Sequence, residues 1–231
     1  MFRYSSKTFG EKNQKVIFFL TGWRGSILQH SLIAYLLQLN GYRVIVYSYD
    51  KSILSPNTKE TATNCNLVKE DVKKRVKELK REGIDTFYLF GNSLGSLLPL
   101  MIANEIPKDI SKIILNLVSA DLAETVWGWN KVKRLAWFKE SLVAQKIVLS
   151  ELKDAWESLS PINNTDNLKG VPILLYNSTR DELISAEQTQ KIARKLRGIT
   201  SVKTITNHNS HKISLISNLL RFPVYLRFLR S

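Results

Sequence analysis

The stretch that decides the fold runs from residue 87 to residue 98 and reads FYLFGNSLGSLL. Its first four residues are all apolar, which is typical of a buried β-strand, and its last residues favour a helix. Between them lies a G-x-S-x-G pentapeptide, residues 91–95. In a sharp strand-to-helix turn, the glycines remove side chains that would collide with neighbouring backbone, and the serine oxygen projects from the edge of the sheet. The stretch therefore predicts that Ser93 is an exposed nucleophile.

The rest of the chain alternates between short apolar segments and longer amphipathic ones. Strands are predicted at residues 16–20, 44–49, 87–90, 113–118, 173–177 and 202–206, with an antiparallel edge strand at 2–8. Several are apolar on both faces, as strands of a parallel sheet covered by helices are. Helices are predicted at 31–40, 67–82 and 185–196. This order predicts an α/β fold in one domain, residues 1–231: a doubly wound, mostly parallel sheet with helices on both faces.

One long segment, residues 121–160, interrupts the alternation with a mostly helical pattern. It contains four of the five tryptophans of the chain. We expect this segment to form a helical cap, or lid, over the carboxyl edge of the sheet. Trp127, Trp129 and Trp137 are then expected to line a substrate pocket, and the alternative is that the rings form the small core of the insertion itself.

A serine nucleophile needs a base, and the chain has three histidines. His30 is expected at the surface or at a helix start. His208 and His211 both follow the last predicted strand. We favour His211 because it directly precedes the terminal helix, and His208 is the alternative base.

The acid that orients the base is expected at a strand end as well. Asp181 follows the strand at 173–177, which gives the chain order Ser, Asp, His. Asp121, after the preceding strand, is the alternative acid.

These motifs resemble the α/β-hydrolase family over nearly the whole chain. Besides the elbow at 91–95, the strand at 16–20 with Thr21-Gly22-Trp23 is similar to the strand and oxyanion loop of the family. The segments 160–162, 171–175 and 181–184 resemble its approach to the acid. Thr21 differs, because the family usually has a histidine there.

The resemblance implies a serine hydrolase that cleaves carboxylic esters through an acyl-enzyme. Ser93 is then the nucleophile, Asp181 the acid and His211 the base. The backbone N–H groups of Trp23 and Leu94 form the oxyanion hole. No metal or organic cofactor is implied.

The charge of the chain is consistent with an anionic partner, and the alternative is that the basic surface serves solubility alone. The formal net charge is +14, and no acidic residue follows Glu187. Such a surface favours an anionic surface or an acidic carrier protein. Nucleic acid is not expected, because the charge run at 67–82 is interpreted as a solvated helix face. Three alternative functions stay open: an acyl thioesterase that acts on an acidic carrier, a non-catalytic binding protein with the hydrolase fold, and an interfacial lipase, which the tryptophans at 121–160 and the apolar and basic segment 221–230 suggest.

The apolar runs are short. None reaches the length of a membrane span, which is about 18 residues. The run at 16–20 is also shorter than the apolar core of a signal peptide, which has roughly 7–15 residues. The single cysteine, Cys65, excludes an internal disulfide. We therefore expect a cytoplasmic protein.

The segment 221–230 combines apolar and basic residues, but Pro223 predicts that it is not a regular helix and that its apolar residues dock on the sheet.

Overall fold

The computed structural model describes residues 2–231, apart from the side chain of Asn130. Within this range seven strands form one sheet in the order β1-β3-β2-β4-β5-β6-β7. The strands are β1 (Tyr4–Phe9), β2 (Lys15–Leu20), β3 (Tyr42–Tyr49), β4 (Thr86–Asn92), β5 (Ile110–Asn116), β6 (Ile173–Ser178) and β7 (Val202–Asn207). β1 pairs antiparallel with β3, and the other neighbours are parallel.

Helices cover both faces of the sheet. They are α1 (Ile27–Leu39), α2 (Thr58–Arg81), α3 (Leu97–Glu105), α4 (Leu122–Trp127), α5 (Ala136–Ala144), α6 (Leu149–Ala155), α7 (Ala186–Arg197), α8 (His211–Leu219) and α9 (Phe222–Arg230). One core packs α2, α3 and α7 against the sheet together with α4, α5 and α6. The other core packs α1 and α9 against the opposite face, with α8 beside them. The predicted doubly wound, mostly parallel sheet is confirmed.

The strand order places a switch point between β2 and β4. The chain passes from β2 to β3 on one side, then crosses to β4 on the other. In open α/β sheets, ligands bind at the carboxyl ends of the strands beside such a point. The carboxyl ends of β2 and β4 lie side by side there, since Leu20 pairs with Gly91.

Three details differ from the sequence prediction. Residues 222–230 form a regular helix, α9, because Pro223 lies in its first turn, where a missing N–H removes no intrahelical bond. Its apolar residues do pack on the sheet, as expected. α1 begins earlier than predicted, because Ser26 and Gln29 form a capping box. α2 begins nine residues earlier, at the Asn57 cap.

No helix within residues 2–231 combines the length and the apolar character that crossing a membrane requires.

The turn after β4 lies in close contact with the end of β2. A Cβ atom on Gly95 would collide with the carbonyl oxygens of Leu20 and Thr21. A Cβ atom on Gly91 would collide with the Cα of Ser96. The two glycines of the pentapeptide are therefore required by close backbone packing.

We predict that Gly95→Ala lowers the free energy of unfolding by about 1–3 kcal/mol, the usual cost of overpacking. Gly198→Ala is the matched control, because Gly198 follows α7 with a φ of −72° and its added Cβ would meet its nearest atom at 3.4 Å. Urea unfolding measures both. Equal effects of the two substitutions would contradict the packing argument.

Candidate active site

Ser93 lies in a strained turn directly after β4. Its φ is +53°, in the left-handed region, which costs a residue other than glycine about 1–2 kcal/mol. Residues 93–96 form a short 3-10 turn that leads into α3. The side chain therefore projects above the start of a helix, where the backbone N–H groups favour a developing negative charge.

His211 is the first residue of α8 and faces Ser93. The distance between Ser93 Oγ and His211 Nε2 is 2.8 Å. The imidazole is almost completely buried, with 7% of its side chain exposed. Its backbone N–H donates to Oε2 of Glu182 at 2.8 Å, which fixes the start of the helix beside the Asp181 loop.

Asp181 holds the other side of the imidazole. Its Oδ2 lies 2.7 Å from Nδ1 of His211, and its Oδ1 accepts the backbone N–H groups of Leu183 and Ile184 at 2.8 and 2.9 Å. The carboxylate therefore selects the tautomer with the proton on Nδ1. Nε2 is left as an acceptor that faces the Ser93 hydroxyl, so the arrangement can withdraw a proton from Ser93.

The alternative base and acid lie elsewhere. His208 is exposed, and its Nδ1 lies 2.6 Å from the hydroxyl of Thr179. The carboxylate of Asp121 caps α4, because its Oδ1 accepts the N–H of Glu124 at 2.9 Å. The structure brings His211 and Asp181, rather than these two residues, to Ser93.

The loop after β2 passes directly beside Ser93. A Cβ atom on Gly22 would lie 3.1 Å from the Cβ of Ser93. The next residue, Trp23, lines the same cleft as Leu94. No backbone carbonyl within residues 2–231 accepts the backbone N–H of Trp23. Leu94 is the second residue of its 3-10 turn, where N–H groups precede the first helical bond.

The cleft above Ser93 has a volume of about 640 Å³. Its apolar lining comes from the sheet edge, the helical segment and α8, and includes Leu97, Val118, Leu122, Trp129, Leu135, Leu215 and Leu219. Its charged lining residues are Arg24, Arg134 and Lys212, all basic. The cleft therefore suits a substrate that is mainly apolar and carries an anionic group.

The tryptophans of the helical segment have different positions. Trp129 lines the cleft and donates its indole N–H to the carbonyl of Leu183 at 3.1 Å. Trp127 instead packs under the ammonium group of Lys139, 4.5 Å from its ring. Trp129, Trp137 and Phe138 form an aromatic cluster, in which Trp137 is 40% exposed. Neither Trp127 nor Trp137 lines the cleft, so the prediction that these two residues line the pocket is wrong.

Trp23 joins this aromatic cluster from the side of the sheet. Its ring stacks on Trp129 at 5.9 Å and meets the edge of Phe138 at 6.3 Å. Its indole N–H donates to the carbonyl of Lys51 at 2.8 Å. The cluster ties the helical segment to the loop beside Ser93.

Sequence reasoning missed the role of His30. Its side chain is buried rather than at the surface, and the residue lines the cleft. Its Nδ1 donates to the carbonyl of Ser26 at 2.8 Å, and its Nε2 accepts from Nδ2 of Asn92 at 3.2 Å. Burial lowers the pKa of His30 below its usual range. The neutral ring therefore anchors the residue before Ser93.

A chain of buried asparagines continues from this contact. Asn92 Oδ1 accepts from Asn116 Nδ2 at 2.7 Å, and Asn116 Oδ1 accepts from Asn218 Nδ2 at 2.8 Å. Asn218 Oδ1 accepts from Asn207 Nδ2 at 3.1 Å. All four side chains are buried. The chain links the ends of β4, β5 and β7 to α8, the helix that carries His211.

No motif in the sequence marks these asparagines. Each lies at a strand end or on a helix face, and only the fold brings them together.

In the described part of the chain, no cluster of three or more His, Cys, Asp or Glu side chains could hold a metal ion. Burial raises the pKa of the Cys65 thiol to about 12, so this cysteine stays protonated.

We predict that Asn218→Ala destabilises the protein by about 1–3 kcal/mol, because it leaves buried polar groups of Asn116 and Asn207 without partners. Ser217→Ala, one residue earlier on α8, removes only a 3.3 Å bond to the carbonyl of Ser214 and should change the free energy of unfolding little. Urea unfolding measures both. An Asn218→Ala protein as stable as Ser217→Ala would show that the asparagine chain does not stabilise α8.

The chain is similar to several solved structures. An esterase of Pyrococcus furiosus superposes with a TM-score of 0.69 at 18% identity, over 100% of this chain and 87% of the esterase. An alpha/beta hydrolase enzyme from a deep-sea metagenome library of the Medee basin gives 0.59 at 18% identity, over 96% and 93%. The thioesterase domain from the curacin biosynthetic pathway gives 0.58 at 15% identity, over 96% and 95%.

No protein-family model matches the chain, and no curated protein matches its sequence. At these identities the structural similarity shows a shared fold.

Proposed function

We propose that this chain, which has the α/β-hydrolase fold, is a serine hydrolase that cleaves carboxylic acyl esters through an acyl-enzyme. The observation that carries the proposal is the hydrogen-bonded line from Ser93 Oγ through His211 to Asp181, with distances of 2.8 and 2.7 Å. The line lies below a cleft that can hold a substrate of moderate size.

The first step is attack by Ser93 on the ester carbonyl. His211 Nε2 takes the hydroxyl proton as Oγ forms the bond to carbon, and Asp181 stabilises the imidazolium. The buried carboxylate is already held by two backbone N–H groups, so it does not move to do this. The positive φ of Ser93, held by the close packing of Gly91 and Gly95, directs Oγ toward the cleft.

The N–H groups of Trp23 and Leu94 stabilise the negative oxygen that forms. Each donor of this kind contributes about 3 kcal/mol of transition-state stabilisation. His211 then gives its proton to the leaving alcohol, and the acyl group stays on Ser93. Water, deprotonated by His211, releases the acid and restores Ser93.

A second candidate is an acyl thioesterase. The cleft is lined by Arg24 and Lys212, and by Arg134, which pairs with Glu182 at 3.5 Å; its described lining contains no acidic residue. This arrangement favours a leaving group that is anionic, such as the arm of an acidic carrier. The similarity to a thioesterase domain supports the same chemistry.

We predict that Ser93→Ala and His211→Ala each lower kcat by at least about a thousandfold on nitrophenyl butyrate and on a butyryl thioester. The two substitutions act on one proton transfer, so the double variant should be no slower than either single one. Steady-state kinetics on both substrates tests the reaction and shows which leaving group is preferred.

His208→Ala is the matched control, because His208 is exposed and bonded to Thr179. Its kcat should stay within about twofold of the parent value, as expected for a group that reaches no reacting atom. Full activity of Ser93→Ala, or a greater loss in His208→Ala than in His211→Ala, would contradict the assignment. Absence of turnover in the parent chain on both substrates would favour a binding protein.

A further inference from the structure

The amphipathic pattern of α8 is inverted. Its buried residues are His211, Ser214 and Asn218, all polar. Its exposed side carries Ile213 and Ile216, which are 56% and 53% exposed, and Leu220, which directly follows the helix, is 68% exposed. Because these residues are three or four positions apart, they form one stripe. An apolar stripe that faces solvent indicates a surface that something else covers.

α1 carries a second stripe of the same kind. Leu28 is 84% exposed and Leu32 64% exposed, and Tyr35 and Leu39 continue the row at helical spacing. No charged residue occurs in residues 27–39. A surface helix without charged residues is unexpected in a chain with 34 lysines and arginines. It indicates that the exposed face of α1 contacts something other than water.

The two stripes flank the same cleft. Gln29 and His30 of α1 line it together with Lys212 and Ile216 of α8. We call the exposed side chains of both stripes the apolar rim: Leu28, Leu32, Tyr35, Leu39, Ile213, Ile216 and Leu220. The rim comprises seven of the twelve large apolar side chains that are exposed within residues 2–231. Both stripes therefore begin beside the cleft that contains Ser93, and the stripe of α1 continues away from it toward the start of β3.

The charge that borders the rim is positive. Arg24 precedes α1, Lys212 lies in the first turn of α8, and Arg221 follows Leu220; all three are exposed. No acidic residue occurs in residues 12–49 or 188–231, which contain α1, α8 and α9. Glu182, beside the start of α8, pairs with Arg134 at 3.5 Å. The partner of this face is therefore both apolar and anionic.

The apolar stripes and their basic border favour an anionic lipid bilayer over a second copy of the chain as the partner of this face. A second copy of the chain would bring two basic borders together, which repel each other. The surface of an anionic lipid bilayer offers negative headgroups above an apolar layer, and it takes up leucine and isoleucine side chains that project from a helix. Projecting stripes suit such a surface better than they suit a groove in a protein.

We propose that α1 and α8 dock this chain on anionic phospholipid bilayers, with the cleft open toward the lipid. Docking would deliver apolar acyl esters from the bilayer directly to Ser93. The docking itself does not depend on catalysis, and only the delivery of substrate rests on the function proposed above.

The test is co-sedimentation of the full chain with vesicles of phosphatidylglycerol and of phosphatidylcholine. The parent chain is expected to bind the anionic vesicles at least about tenfold more tightly, and salt should weaken the binding. Leu28→Gln with Leu32→Gln keeps the charge and should lower the affinity about tenfold or more, because it removes the inserted apolar groups. Neither residue lines the cleft, so hydrolysis of a water-soluble ester should not change.

Leu67→Gln with Val148→Gln is the matched control. These residues are 49% and 51% exposed but lie on α2 and directly before α6, away from the rim. Equal binding by the rim variant and the control, or failure of the parent to bind anionic vesicles, would overturn the proposal. A parent dimer that the rim variant dissociates, without vesicle binding, would assign the face to a second copy. Vesicle binding without ester hydrolysis would uphold docking and reject the proposed function.

Discussion

The close approach between the turn at residues 91–95 and the end of β2 determines the geometry of the site. Gly95 lies against the carbonyl oxygens of Leu20 and Thr21, and Gly91 lies against Ser96. Between these contacts Ser93 has little freedom and adopts a φ of +53°. The parallel pairing of β2 with β4 holds both sides of this contact, so the core of the sheet sustains a strain of about 1–2 kcal/mol at one residue.

A second constraint is the inverted helix α8. Its polar inner face brings His211 to Ser93 and ties Ser214 and Asn218 to the ends of the strands. Since the helix uses its polar side for these contacts, its apolar side remains outside. The same helix thus positions the proposed base and, with Leu220 directly after it, contributes three of the seven side chains of the apolar rim. One helix therefore connects the proposed docking surface to the proposed active site.

The sequence predicted the features that depend on local patterns. The pentapeptide at 91–95 and the apolar strands were sufficient for the doubly wound sheet, because glycine spacing and strand hydrophobicity are local properties. The sequence left His208 and His211 as alternatives, since only the packing of α8 decides which ring is buried. The Ser26 and Gln29 capping box marks the start of α1, but it lies before the apolar run at 31–40 on which the predicted helix depends.

Other features depend on contacts that no local pattern contains. His30 is buried because Asn92, 62 positions later in the chain, reaches its ring. The asparagine chain joins residues up to 102 positions apart. Residue type alone predicts Trp127 and Trp137 in the pocket, whereas their positions depend on Lys139 and on the aromatic cluster that Trp23 joins.

The central claim is that the fold activates Ser93 through His211. The most direct measurement is the reaction of the intact protein with a fluorophosphonate, followed by peptide mass spectrometry. The account predicts one adduct, on Ser93, that forms much more slowly in His211→Ala and does not form in urea-unfolded protein. An adduct on another residue, no adduct at all, or an unchanged rate in His211→Ala would contradict it.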